Sequence, residues 1–141
     1  MTYPKDELIR YRLSRAKEAL DEADVMADMT HWKTCINRLY YACFYAVSAL
    51  LLKNDFSLSK HTGVKAFFNS QFIITGIIPK SYGRLYNLLF KYRQQSDYED
   101  FFTIDEEIVK EWIKESKDFV KVVIEKLDKN EKRRIGDISK S

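Results

Sequence analysis

From Leu39 to Leu52 every residue except Ser48 carries an apolar or aromatic side chain. Wrapped at 3.6 residues per turn, such a run is hydrophobic on nearly every side, the pattern of a helix enclosed by others. A membrane span needs about 20 residues; this run is shorter, begins beside Asn37 and Arg38 and stops at Lys53. It therefore reads as the buried central helix of a soluble bundle, with Leu39, Cys43, Val47 and Leu50 as its packing spine.

The flanking segments show narrower apolar stripes. Pro4 to Ala27 places Ile9, Leu13, Ala16, Leu20, Ala23 and Ala27 in one seam of alternating four-three spacing, after a first turn rich in Asp6 and Glu7 that suits the positive end of the helix dipole. Asp28-Met29-Thr30 is a short loop, with Thr30 expected to cap the central helix; a loop this short makes the first two helices an antiparallel hairpin. Asn54 to Ser57 breaks the pattern. Ser59 is the expected cap of a third helix carrying Val64, Phe67, Phe68 and Phe72, which Gly76 ends, with Ile77 as its hydrophobic contact. Pro79 opens a fourth helix with two stripes. Leu85, Leu88, Leu89 and Tyr92 form its core face; Tyr82, Tyr86, Phe90, Arg93 and Asp97 form a second stripe, whose Tyr82, Tyr86 and Phe90 are either a dimer face leading to Arg93 or a second core face. Thr103 and Glu106 fit a capping box before a fifth helix bearing Ile108, Trp112, Phe119, Val123 and Leu127. The periodicity thus predicts an all-α, up-and-down bundle of four to five helices over residues 1–128, followed by a polar tail, 129–141, expected to be disordered.

Composition agrees. With 141 residues, 45% of them hydrophobic, and only four glycines and two prolines, the chain suits one domain of long helices and short loops. A net charge of +3 tolerates an anionic partner without marking a strongly basic nucleic-acid binder. Cys35 and Cys43, about 12 Å apart on one helix, are too distant for a disulfide and read as reduced core thiols. The N-terminus lacks an apolar signal segment, so a cytoplasmic location and no membrane association are expected.

Candidate chemistry is sparse. There is no phosphate-cradling glycine loop or dinucleotide fingerprint, and His31 with Cys35, one turn apart, is a thin basis for a metal site; neither cofactor nor metal is expected. Three passages stand out. Arg93 to Tyr98 is polar between apolar stretches: Arg93 and Asp97 form either a simple one-turn ion pair or a phosphate grip through the planar guanidinium, oriented by Asp97 and Tyr98. Lys60 and His61 lie at a helix start: either anions are favoured there and the histidine titrates near neutral pH, or His61 is a first-turn residue that caps or packs locally. Asn37, Tyr41, Tyr45 and Ser48 make a polar strip that either lines a cleft or is a set of satisfied buried groups.

Together these passages, Asn37-Arg38-x-Tyr40-Tyr41-Ala42-x-Phe44, His61-x-Gly63-Val64 and Arg93-x-x-x-Asp97-Tyr98, resemble the small prokaryotic branch of the HEPN superfamily, across about Arg12 to Leu127. The resemblance implies a helical bundle that commonly dimerises, and a minimal nucleotidyltransferase partner in a toxin–antitoxin-like pair. Many members are metal-independent endoribonucleases whose signature is an arginine followed four to six residues later by a histidine. Here Arg93 matches, but Asp97 and Tyr98 stand where the histidine would fall, and no histidine follows Arg93.

Three readings follow. The first is a homodimeric nucleotide- or RNA-binding module acting with the nucleotidyltransferase, its cleft formed by Asn37, Arg38, Tyr41, Lys60 and Tyr98 around Arg93, Asp97 and His61. The second is a ribonuclease toxin in which Arg93 stabilises developing phosphorane charge and His61 or Asp97 moves protons. In the third, a structural interaction bundle, the polar residues only fix helix register.

Overall fold

A computed structural model describes residues 4–129. Its elements are α1 (Lys5–Asp28), α2 (Trp32–Lys53), α3 (His61–Phe68), a π-helical turn (Asn69–Ile73), α4 (Lys80–Tyr98) and α5 (Glu106–Lys129). The fold is all-α, and no strand occurs among the described residues. The tail expected from residue 129 lies, bar its first residue, outside the described residues.

α2 is the axis. Leu39, Cys43, Val47 and Leu50 are fully buried, as the spine requires, and so are Cys35, Ile36 and Tyr40. Among the described helices α2 alone has the length and hydropathy of a membrane span, yet two-thirds of its most apolar stretch is enclosed by the bundle. α1 runs antiparallel beside it, as ties at three levels show: Lys5–Asp55, Arg12 to the Ser48 carbonyl, and Glu22–Arg38. Ala16, Ala19 and Ala23 have no exposed surface, so the backbones approach closely along a seam of small side chains. α5 closes the bundle with Val109, Trp112, Phe119, Val120, Val123 and Leu127 turned inward. Phe119 meets Phe68 and Tyr86, joining α5 to α3 and α4.

Several local expectations are corrected. Thr30 does not cap α2; it sits at φ 57°, ending α1. Its N–H reaches the Ala27 carbonyl (2.9 Å) and that of His31 reaches Met26 (2.8 Å), the paired bonds of a Schellman motif. Ser59 makes no capping bond to α3, which starts after Lys60. The cap of α5 is Asp105, whose Oδ1 accepts from the Glu107 N–H at 2.9 Å, two residues beyond Thr103. Ile108 is half exposed while Val109 is buried, so the inward stripe begins one residue later than the periodicity suggests. The second stripe of α4 is core rather than dimer face: Tyr86 and Phe90 are buried, and Tyr82 packs on Phe119 and donates to Asp118 at 2.6 Å. Gly76 does end its segment in the left-handed region, φ 81°, although Ile78 rather than Ile77 is the fully buried neighbour.

The π turn widens the chain where α3 hands over to α4. There Gly83 meets the Ile73 side chain so closely that an added Cβ would lie 2.9 Å from Cγ2.

Two stability predictions follow. Thr30 is β-branched and left-handed, a costly combination, so Thr30→Gly should raise stability by about 1 kcal/mol, less the added freedom of the unfolded chain. Gly83→Ala gains about 1 kcal/mol of helix propensity but overpacks against Ile73, at a cost of about 1–3 kcal/mol; net destabilisation is expected. Urea titrations of both variants check the two signs.

Candidate functional site at the α2–α4 junction

The site grows from Tyr40, a tyrosine with no exposed surface on the most apolar helix. A buried hydroxyl needs a partner, and Tyr40 Oη finds Nδ1 of His61 at 2.7 Å, the first residue of α3. The imidazole is clamped by ring contacts from two consecutive turns of α2. It stacks on Phe44 at 4.2 Å and 7°, lies over Tyr40 at 5.7 Å and meets Tyr41 edge-on.

From the other side α4 contributes Arg93. Its guanidinium carbon lies 4.6 Å from the Tyr40 ring centroid and 5.8 Å from that of Tyr41, a cation held over aromatic faces. Its ion pair with Asp97 is long, 3.7 Å, beyond hydrogen-bonding distance. Arg93 Nε is buried and unpartnered; two turns earlier on α4 the buried hydroxyl of Tyr86 has only that of Tyr40 as a neighbouring partner, and its ring parallels that of Tyr40 at 5.9 Å and 4°. A cation with unused donors and a neighbouring buried hydroxyl is an arrangement suited to an incoming anion.

The electrostatics of the cluster are mutual. His61 is held below its ordinary value of 6.5, by burial first and by the charge of Arg93 second, which leaves the ring neutral at pH 7. Since the folded state resists protonating it, the stability associated with His61 is present above pH 6.5 and is lost as pH falls below that value. Burial pushes Tyr40 up to about 12, with Arg93 pulling in the opposite direction. In the sequence, residues 56–96, which carry His61 and Arg93, hold six Lys and Arg and none of the chain's 21 acidic residues, while in space Asp97 faces Arg93 and Glu22 pairs with Arg38. The modest net charge conceals this local excess.

Of the residues singled out in the sequence, the fold gathers Arg93, Asp97, His61 and Tyr41 directly. Arg38 joins through its guanidinium 5.2 Å from the Tyr41 ring; it is held there by Asn37 Oδ1, at 2.7 and 3.1 Å, and by Glu22 at 3.0 Å. Asn37 thus serves the site by fixing Arg38. Lys60 and Tyr98 are not brought in: both are exposed, and neither is bonded to the cluster. The residue sequence reasoning missed is Tyr40, the link between His61 and Arg93. It is hidden in an apolar run, and its one signal is a hydroxyl on a helix otherwise lacking places to satisfy one. Cys35 and Cys43 are buried free thiols, as expected, with Cys43 raised by burial to about 12. No group of three or more His, Cys, Asp or Glu residues able to hold a metal occurs among the described residues.

Comparison with known proteins places this geometry. A protein of Thermotoga maritima, named "UPF0332 protein", is 43% identical over 129 residues, covering 92% of this chain and 97% of its own. Two proteins of Methanocaldococcus jannaschii, each named "Putative toxin", are 30% and 32% identical, over 67% and 65% of this chain and 65% and 69% of their own. The HEPN domain model matches residues 9–128, a span that takes in α2, α3, α4 and every residue of the cluster. The chain belongs to the HEPN domain family.

Proposed function

We propose that this HEPN protein binds RNA or a nucleotide through its phosphate at the α2–α4 junction, as a homodimer in the cytoplasm, acting with a nucleotidyltransferase partner in a toxin–antitoxin-like pair. The observation that carries the reading is Arg93. Its guanidinium rests on Tyr40 and Tyr41, its ion pair to Asp97 is long, and its Nε has no partner. Such a cation has donors to spare for a phosphate fork, and the acid-free segment around it favours a polyanion. The toxin names of the two archaeal relatives support the setting.

The Tyr40–His61 bond favours one alternative, a metal-independent endoribonuclease. Sequence reasoning made this depend on whether His61 comes near Arg93, and the two share Tyr40 as a common neighbour. A neutral imidazole can take the proton of an RNA 2′-hydroxyl as that oxygen bonds to phosphorus. The phosphorus–O5′ bond then breaks, the departing 5′-oxygen gains a proton, and a 2′,3′-cyclic phosphate remains. Arg93 would stabilise the charge gathering on the phosphorane. In this alternative His61 of α3 would take the part that the signature gives to a histidine after Arg93.

The test is a fluorescent RNA oligonucleotide titrated with wild type, Arg93→Ala and His61→Ala, with cleavage followed on gels. Arg93→Ala should weaken binding about tenfold and lower the salt dependence by about one counterion, with unchanged circular dichroism. Binding without cleavage supports the first reading; cleavage lost in both variants supports the second. RNA affinity indifferent to Arg93→Ala would sink the site.

A further inference from the structure

A second built pocket lies on the far side of Phe44, between α1, α2 and the loop leading to α3, with a cavity of about 350 Å³. That is within the size range of small-ligand sites. Its floor is the polar end of the α2 strip: Ser48 is 6% exposed, and its Oγ is buried with no hydrogen-bond partner. Arg12 enters from α1. It is half-buried, has no carboxylate partner, and makes one long hydrogen bond, 3.3 Å from Nη1 to the Ser48 carbonyl; burial alone perturbs it, in the direction of losing its charge. Ser57 and Ser59 line the exposed rim, with Phe44 and Tyr45 as aromatic walls. Among the described residues no acidic side chain lines the cavity.

A guanidinium has five donors in a fixed fork, and leaving most of them half-buried without an anion is unfavourable. The donor set also selects the anion. The fork takes two oxygens, and the hydroxyls of Ser48, Ser57 and Ser59 remain for others. A carboxylate, with two oxygens, is saturated by the fork and leaves the serines unserved. A phosphate monoester offers three terminal oxygens that match fork plus hydroxyls, and Phe44 with Tyr45 can flank the organic group.

We propose that the Arg12–Ser48 pocket is a binding site for a phosphate monoester, separate from the Arg93 cluster. The shared wall is Phe44, which also stacks on His61, so occupancy should be felt at that ring. Two sources carry the same chemistry, a small sugar phosphate and the phosphorylated end of an RNA.

The experiment is an NMR titration with ribose 5-phosphate, alongside short RNAs carrying either a 5′-phosphate or a 5′-hydroxyl. Ribose 5-phosphate should shift the amides of Ser48 and Ser57 to Ser59 and the His61 ring. Affinity read from the Ser57 to Ser59 amides should fall about tenfold or more in Arg12→Gln, the scale of a lost charged hydrogen bond, whereas in Arg93→Ala, which removes the phosphate grip proposed at α4, the Ser57 to Ser59 shifts should persist. Ser57→Asp, an exposed change that sets a carboxylate beside Arg12, should weaken binding as much, and it carries the test if Arg12→Gln fails to fold. A preference for the 5′-phosphorylated RNA assigns the site to RNA ends; equal affinity for the two RNAs, with ribose 5-phosphate bound, assigns it to a small phosphate ester. No amide shift at Ser57 to Ser59 by about 10 mM ligand, a concentration that fills even millimolar sites, overturns the proposal. So does affinity indifferent to both Arg12→Gln and Ser57→Asp. Because Arg93→Ala is read separately, this pocket and the RNA site at α4 can fail independently.

Discussion

A tyrosine hydroxyl taken out of water has to be given a partner, and α2 is so apolar that none of its own neighbours supplies one to Tyr40. The partner comes from the next helix in the chain, as His61 Nδ1 at 2.7 Å. That one bond fixes where α3 begins and turns the imidazole flat against Phe44. It also sets the tyrosine face on which Arg93 rests. The helix most responsible for folding thereby orients the two groups with the clearest chemical capacity. A lost bond would leave a buried hydroxyl unsatisfied, at a cost of about 1–3 kcal/mol, so the site is held by the same energetics as the core.

The rest of the bundle makes that arrangement possible. Alanines on α1 let α2 be covered closely, and Phe119 of α5 backs Tyr86, which in turn lies parallel to Tyr40. Tyr86 and Phe90, which lead along α4 to Arg93, are therefore inside the protein and deliver the arginine to the end of the aromatic stack, with Tyr82 partly buried at the start of the stripe. Membership of the HEPN family fits this economy, since the family match spans the same helices. His61, which Tyr40 holds, belongs to α3, upstream of Arg93, and no histidine follows Arg93 in the sequence.

The architecture was legible because long helices write their periodicity plainly. α2 is apolar all round, α5 shows an inward face almost in register, and the short loop after α1 forces the hairpin. Caps were less legible: Thr30, Ser59 and Thr103 are all good capping residues by type, but the backbone chose His31, Lys60 and Asp105. At Thr30 the closing bonds of α1 compete with the opening of α2 and prevail. Arg93, Asp97, His61, Arg38 and Tyr41 were identifiable as polar residues out of place. Tyr40 was not, because an aromatic ring inside an apolar run looks like packing, and its role depends on a contact 21 residues away that no local pattern encodes. Lys60 and Tyr98 had suitable chemistry but are exposed to solvent, Lys60 on the extended backbone just before α3 and Tyr98 at the last residue of α4.

The central claim is that His61 and Arg93 form one electrostatic unit through Tyr40. Its most direct measurement is the pH titration of the His61 imidazole by NMR, in wild type and in Arg93→Gln. The chain holds only two histidines, so the His61 signal is assigned by comparison with a His31 variant. The account predicts titration below 6.5 in the wild type, and a rise on removing the guanidinium charge. An imidazole that titrates at 6.5 in both proteins would contradict it.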